Sequence, residues 1–328
     1  MTVAESNERL VELGELDELV RHVDRLVDAE EWDGLVDLRR RCRAALERGK
    51  QLWPAASLAE YRLALDAPGP WAGVVIEPGA GHMALGPLTE VAASTHPWAD
   101  LSPTIAPGPL ATIAAHERVL RGEELTGDQR IDRRVIDLPA RLEPWEPDYP
   151  LAEYASDSAR FPPPPLPVRQ PVDLPGAATP VHDPTVIPAL LELPRAWTAE
   201  SDGRAEAVAV RGDALGAIAR LGPTRARVVE LEPAEAVAWM SWVGANGGAH
   251  GRRRGMAAGR FAAWWTVVAL AGLVDDWPLP PAEVGELAAE LRWFAWDAWE
   301  PDTGWRFHLA VEDPAEGLAW AVAATDAA

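Results

Sequence analysis

The stretch NGGAHGRRRGMAAGRFAAWW, residues 246–265, sets three consecutive arginines between glycines, directly ahead of an apolar run. Asn246, Gly247 and Gly248 tolerate the left-handed conformation that closes a helix, so they mark the end of one. A second helix is expected to start around residues 251–255 and to carry the apolar run. Its uncharged segment, residues 261–274, is 14 residues long. A bilayer span needs ~20. Apolar on every side and too short to span, it reads as a central buried helix around which a domain is assembled.

The arginines then lie at a helix amino end, where the dipole disfavours each cation by ~0.3–1 kcal/mol. Two partners answer that cost. One is a bound anion, a nucleotide or another phosphate ligand, held by Gly248, His250, Gly251, Arg252, Arg253 and Arg254, with Arg260 extending the basic lip one turn on. The other is the protein itself, whose 51 acidic residues outnumber 30 basic ones. Gly251, Gly255 and Gly259 stand four apart and form a narrow ridge for close approach by another element.

Around this helix, residues 197–328 read as a compact α/β domain with a small sheet. EAVAV and RARVVELE are expected strands, each followed by a helix, DALGAIARL and PAEAVAWMSWV. WRFHLAVE is a further strand leading into PAEGLAWAVAA, expected as a helix. Glu232-Pro233-Ala234-Glu235 and Asp313-Pro314-Ala315-Glu316 match at an offset of 81. Both carry an acidic cap, a first-turn proline and a glutamate at the positive helix end. Trp293, Trp296 and Trp299 recur every three residues and are expected to form one helical stripe filling a core. The block spanning residues 247–320, with GGAHGRRRG, GRFAAWW and EDPAEGLAW, resembles an uncharacterised actinobacterial protein family. That resemblance implies no activity.

Residues 1–66 are expected to be a helical module, since Leu10, Leu13, Leu16, Leu19, Val20, Val23, Leu26 and Val27 recur at helical spacing. Leu35, Leu38, Cys42, Leu46 and Leu52 share one face of a second helix, with Cys42 as a small buried hydrophobe. Residues 67–138 form a mixed segment packed on that module, with a strand expected at residues 74–76. Between Pro139 and Pro194 fall 15 prolines. They make residues 139–196 an extended linker or surface arm. The overall class is therefore α+β or α/β and helix-rich. VVIEPGAGHMAL, residues 74–85, resembles the first motif of S-adenosylmethionine-dependent methyltransferases, which implies cofactor contacts for Glu77, Gly79 and Gly81. The second strand and ribose-binding acid that should follow are missing.

A net charge of −21 opposes broad attraction to nucleic acid or anionic membrane. Lys50 is the only lysine and GK[ST] is absent, which excludes a phosphate-loop nucleotidase. One cysteine excludes an internal disulfide framework, and the acidic amino terminus lacks a signal-peptide core. A soluble cytoplasmic protein is expected. His116-Glu117 lacks the second histidine of HExxH, so neither a metal nor an organic cofactor is expected. The first expectation is a non-catalytic protein-interaction, scaffold or regulatory protein with a protein partner or self-association, and without membrane insertion. The alternatives are a phosphate-ligand module on the arginine junction and a methyltransferase-like enzyme.

Overall fold

The computed structural model describes residues 2–176, 178–299 and 303–327. The chain forms two compact units, one of Met1–Ile136 with Ala152–Arg160, the other of Asp137–Leu151 with Phe161–Ala328. The fold is mixed α+β, with a helical first unit and a second unit built on a seven-stranded sheet.

In unit 1, helix α1 (Val3–Leu13) opens with a capping box. Thr2 Oγ1 accepts the Glu5 N–H at 3.2 Å, and the Glu5 carboxylate accepts the Thr2 N–H at 2.8 Å. Helices α2 (Leu16–Asp28) and α3 (Trp32–Ala44) turn Leu19, Val23, Leu26, Leu35, Leu38 and Cys42 into the core. Helix α4 (Trp53–Asp66) is buried around most of its circumference, and both α2 and α3 pack on it. Four shorter helices follow: α5 (Gly69–Val74), α6 (Leu88–Thr95), α7 (Trp98–Leu101) and α8 (Pro109–Val119). Strands β1 (Glu153–Tyr154) and β2 (Ala159–Arg160) pair as a small hairpin. The strand expected at residues 74–76 is instead the end of α5. Pro70 sits in the first turn of that helix, where its missing N–H costs nothing.

Unit 2 contains β3 (Gln170–Asp173), β4 (Thr179–Pro180), α9 (Val186–Glu192), α10 (Arg195–Ala199), β5 (Arg204–Arg211), α11 (Ala214–Arg220), β6 (Arg225–Leu231), α12 (Pro233–Ala245), α13 (Met256–Leu270), α14 (Pro281–Glu290), β7 (Arg292–Asp297), β8 (Trp305–Asp313) and β9 (Leu318–Asp326). Strand order is β3-β6-β7-β8-β9-β5-β4, with every neighbouring pair antiparallel. Helices lie on both faces. Trp239 of α12 meets Phe307 edge-on at 5.1 Å. On the other face α11 covers Val210, Ala310, Ala319 and Ala321. The proline-rich stretch contributes to both units: the β1–β2 hairpin lies in unit 1, and β3, β4, α9 and α10 in unit 2.

Helix α13 is the expected central helix, with most of its residues buried. It packs chiefly against α12. A side chain at Gly259 would collide with the Ser241 backbone oxygen, so glycine there sets how closely the two helices approach. Two expected helices are strands. The tryptophan stripe is β7, which sends Trp293 and Trp296 to opposite faces and leaves Trp299 beyond its end, against Arg225 and Arg227. The second copy of the repeated motif is a turn into β9. Asp313 Oδ1 accepts the N–H groups of Ala315 and Glu316, and Gly317 turns the chain at φ 63°. The first copy does cap a helix, with Glu232 and Glu235 forming a capping box.

Candidate functional site

The residues singled out from sequence fall in two places. In unit 2, the junction between α12 and α13 is a folded loop whose backbone donors meet side chains of the chain itself. Ala249 N–H donates to Asp326 Oδ2 at 2.6 Å, His250 N–H to Ser201 Oγ at 3.2 Å and Arg252 N–H to Glu200 Oε2 at 3.0 Å. A side chain on Gly247 would strike the Gly251 carbonyl, and one on Gly251 would strike that of Gly247, so these glycines serve backbone-to-backbone packing. Gly248 takes φ 73°.

The arginines are engaged in different ways. Helix α13 starts at Met256 after an N-cap at Gly255, so Arg252, Arg253 and Arg254 precede its first turn rather than occupy it. Arg253 Nη1 donates to Asn246 Oδ1 at 2.6 Å, and its guanidinium lies 4.4 Å from the Phe161 ring centre. Arg254 Nη1 is 3.7 Å from Glu192. Arg260 is fully buried. Its Nε and Nη2 clasp Glu146 at 2.7 and 2.6 Å, and the carbonyls of Pro139 and Arg141 accept from Nη1 and Nη2 at 3.0 and 2.8 Å. Desolvation opposes the charge on Arg260. The Glu146 hydrogen bonds and charge outweigh it and raise the guanidinium pKa.

In unit 1, Glu77, Gly79 and Gly81 lie in the loop after α5, beside a cavity of about 200 Å³ open to solvent. Cys42, Leu46, Trp53 and Ala56 give its apolar walls; Arg43, Ser57, Glu60, Gly79 and His82 give its polar side. Helix α4 holds the loop in place. Glu60 Oε2 accepts the Gly81 N–H at 2.6 Å, and Ser57 Oγ accepts the Met83 N–H at 2.8 Å. Arg39 Nε donates to Glu60 Oε1 at 2.9 Å, and both Arg39 and Arg43 donate to Glu77. Arg43 Nη2 reaches the Gly79 carbonyl at 3.2 Å. The charges beside the cavity therefore neutralise one another. His82 stacks on Trp53 with ring centres 4.9 Å apart. Leu46, which lines the opening, is 54% exposed, and Met83, the residue after His82, is 61% exposed.

Burial pushes the Cys42 thiol up to about 12, so it stays protonated and unreactive at neutral pH. Trp53, Ser57 and Leu46 were not singled out as site residues from sequence. The available signal was helical spacing: Arg39, Cys42, Arg43 and Leu46 share one side of a helical segment at three- and four-residue steps. Among the described residues no group of three histidine, cysteine, aspartate or glutamate side chains has metal-site geometry, and no helix is long and apolar enough to cross a membrane.

A model of a family of unknown function (DUF6183) matches residues 17–328, and the chain belongs to that family. The match extends beyond the carboxy-terminal third that carried the resemblance in sequence. No curated protein and no solved structure matches the chain.

Proposed function

We propose that this member of a family of unknown function is a non-catalytic interaction protein, whose helical unit grips an apolar side chain presented by a partner protein. The observation that carries the reading is the cavity between α3, α4 and the loop after α5. At about 200 Å³ it is smaller than the ~300–1,000 Å³ of pockets that enclose whole small molecules. One aliphatic or aromatic side chain fits such a volume. Exposed Leu46 adds apolar area at its mouth, and exposed Met83 follows His82 of the lining in the chain. The paired charges around it favour a neutral occupant. Aspartate and glutamate in excess across the chain support protein over nucleic acid as partner. The proposal includes a cytoplasmic setting, supported by the single buried cysteine, and an actinobacterial distribution of the family.

Thermal melting with inorganic phosphate, nucleotides and S-adenosylmethionine tests the reading against its alternatives. The expected result is no saturable shift with any of them. A shift lost in Arg253→Ala would transfer the function to the arginine junction. A shift lost in Glu77→Ala would favour the methyltransferase-like reading.

A further inference from the structure

Arginine over an aromatic ring is a recurring contact in unit 2. The guanidinium of Arg253 lies 4.4 Å from the Phe161 ring centre, that of Arg292 5.1 Å from Phe294 and that of Arg260 5.5 Å from Trp264. Arg225 and Arg227 lie 5.4 and 5.9 Å from Trp299. Phe261, Trp265 and Trp277 form a cluster that takes no such cation among the described residues. Phe261 and Trp265 are one turn apart on α13, and Trp277 follows a 3₁₀ turn (Val274–Asp276) beyond its end. The Trp277 ring stands steeply to both others, 5.9 Å and 88° from Phe261, 5.8 Å and 76° from Trp265.

The cluster occupies the side of α13 that the fold leaves partly open. Most of the helix is buried, but Ala258, Phe261 and Trp265, at three- and four-residue steps, are half-buried, as is Trp277. Elsewhere in unit 2 the indole N–H groups of Trp197, Trp242, Trp264 and Trp293 donate to acceptors of the chain. Those of Trp265 and Trp277 have no acceptor among the described residues and are not sealed from solvent. Rings that meet at steep angles leave a corner bounded by two ring faces, and each face carries the negative side of the aromatic quadrupole.

The surrounding charge says what fills that corner. From Phe261 to Leu291 the chain has five acidic residues and no basic one. Asp275 and Asp276, directly before Trp277, are exposed and bind no cation among the described residues. Arg254, ahead of the helix, faces Glu192 at 3.7 Å. A phosphate group is repelled by this surface, whereas a cation gains from the ring faces and the carboxylates together. We infer that Phe261, Trp265 and Trp277, with Asp275 and Asp276 adjoining them in the chain, receive an arginine side chain presented by a partner protein. Arginine suits the corner better than lysine. Its guanidinium is flat and weakly hydrated, and it stacks on a ring while its edge donates to a carboxylate. Tryptophan and arginine are also the residues on which interfaces concentrate their binding energy.

This surface is independent of the unit 1 cavity. Its test is calorimetric titration of the full chain with a capped tetra-arginine peptide at 0.15 M salt, with capped tetra-lysine alongside. Saturable binding of the arginine peptide is expected, and weaker binding of the lysine one. Trp265→Leu and Trp277→Leu each lower the affinity by about three- to thirtyfold. Asp275→Asn/Asp276→Asn lowers it as well, and because both positions are exposed this variant keeps the wild-type melting temperature. Ala56→Trp in the cavity leaves the affinity unchanged. Absence of saturable binding overturns the inference. So does binding that ignores both tryptophan substitutions, or tetra-lysine binding as tightly as tetra-arginine. Should the tryptophan variants not fold, the aspartate pair decides, and an unchanged affinity there overturns the inference.

Discussion

Arg260 and Glu146 form a fully buried ion pair at 2.6 Å, with Trp264 Nε1 donating to the same carboxylate at 3.1 Å and Tyr149 donating to it as well. Removing one partner leaves a buried charge uncompensated. Arg260→Ala should lower unfolding free energy by about 3–5 kcal/mol in urea titration, whereas replacing both partners by apolar residues should recover much of it. The sequence grouped Arg260 with the neighbouring arginines as one basic lip. Local spacing carries no trace of a carboxylate 114 residues away, so this residue's role was not legible. His308 gives a second test. It stacks on Trp296 at 4.6 Å. Burial, assisted by the Arg306 charge, depresses its pKa from 6.5 to about 4, against an opposing pull from Asp297. The fold prefers the neutral ring, so this stability is present above pH 6.5 and lost as pH falls towards 4. The loss amounts to about 3 kcal/mol at one pH unit per 1.36 kcal/mol. A melting-temperature series over this range should flatten in His308→Gln.

At the scale of elements, the two matched segments starting at Glu232 and Asp313 adopt different structures. After Glu232-Pro233 the chain folds as α12; after Asp313-Pro314 it turns into β9. Both segments start with an acidic cap and a proline, but the second has Gly317, in the left-handed region, where the first has Ala236. Residues 318–326 are apolar in near-continuous fashion, and such a run suits a strand buried on both faces as well as a buried helix. Pairing with β8 and β5 on either side settles it. The same ambiguity turned the expected tryptophan helix into β7. By contrast, α11 and α13 were legible as helices, and spacing made residues 10–27 legible as helical, although that pattern read as one helix where the chain breaks at Gly14 into α1 and α2. Glu235→Ala should cost about 1 kcal/mol by opening the α12 capping box. Gly259→Ala should cost about 1–3 kcal/mol by forcing α12 and α13 apart. Urea midpoints of both variants check these values.

At the scale of the molecule, a chain of net charge −21 carries two features suited to protein contact. One is a cavity in the helical unit and the other a half-buried aromatic cluster beside α13 in the sheet unit. Composition narrowed the candidate reactions, since a single lysine outside any GK[ST] motif excludes a phosphate-loop nucleotidase. The cavity was not legible, because it depends on where α4 fixes the loop of residues 77–83. Leu46 is exposed enough that Leu46→Asp should change stability by no more than about 0.5 kcal/mol. The central claim is tested most directly by placing a photo-crosslinking amino acid at Met83 in the native host and mapping the adducts. The account predicts a recurrent polypeptide adduct, joined through a segment bearing an apolar side chain and lost when Leu46→Asp is added. An adduct pattern that Leu46→Asp leaves unchanged, or no polypeptide adduct at all, would contradict it.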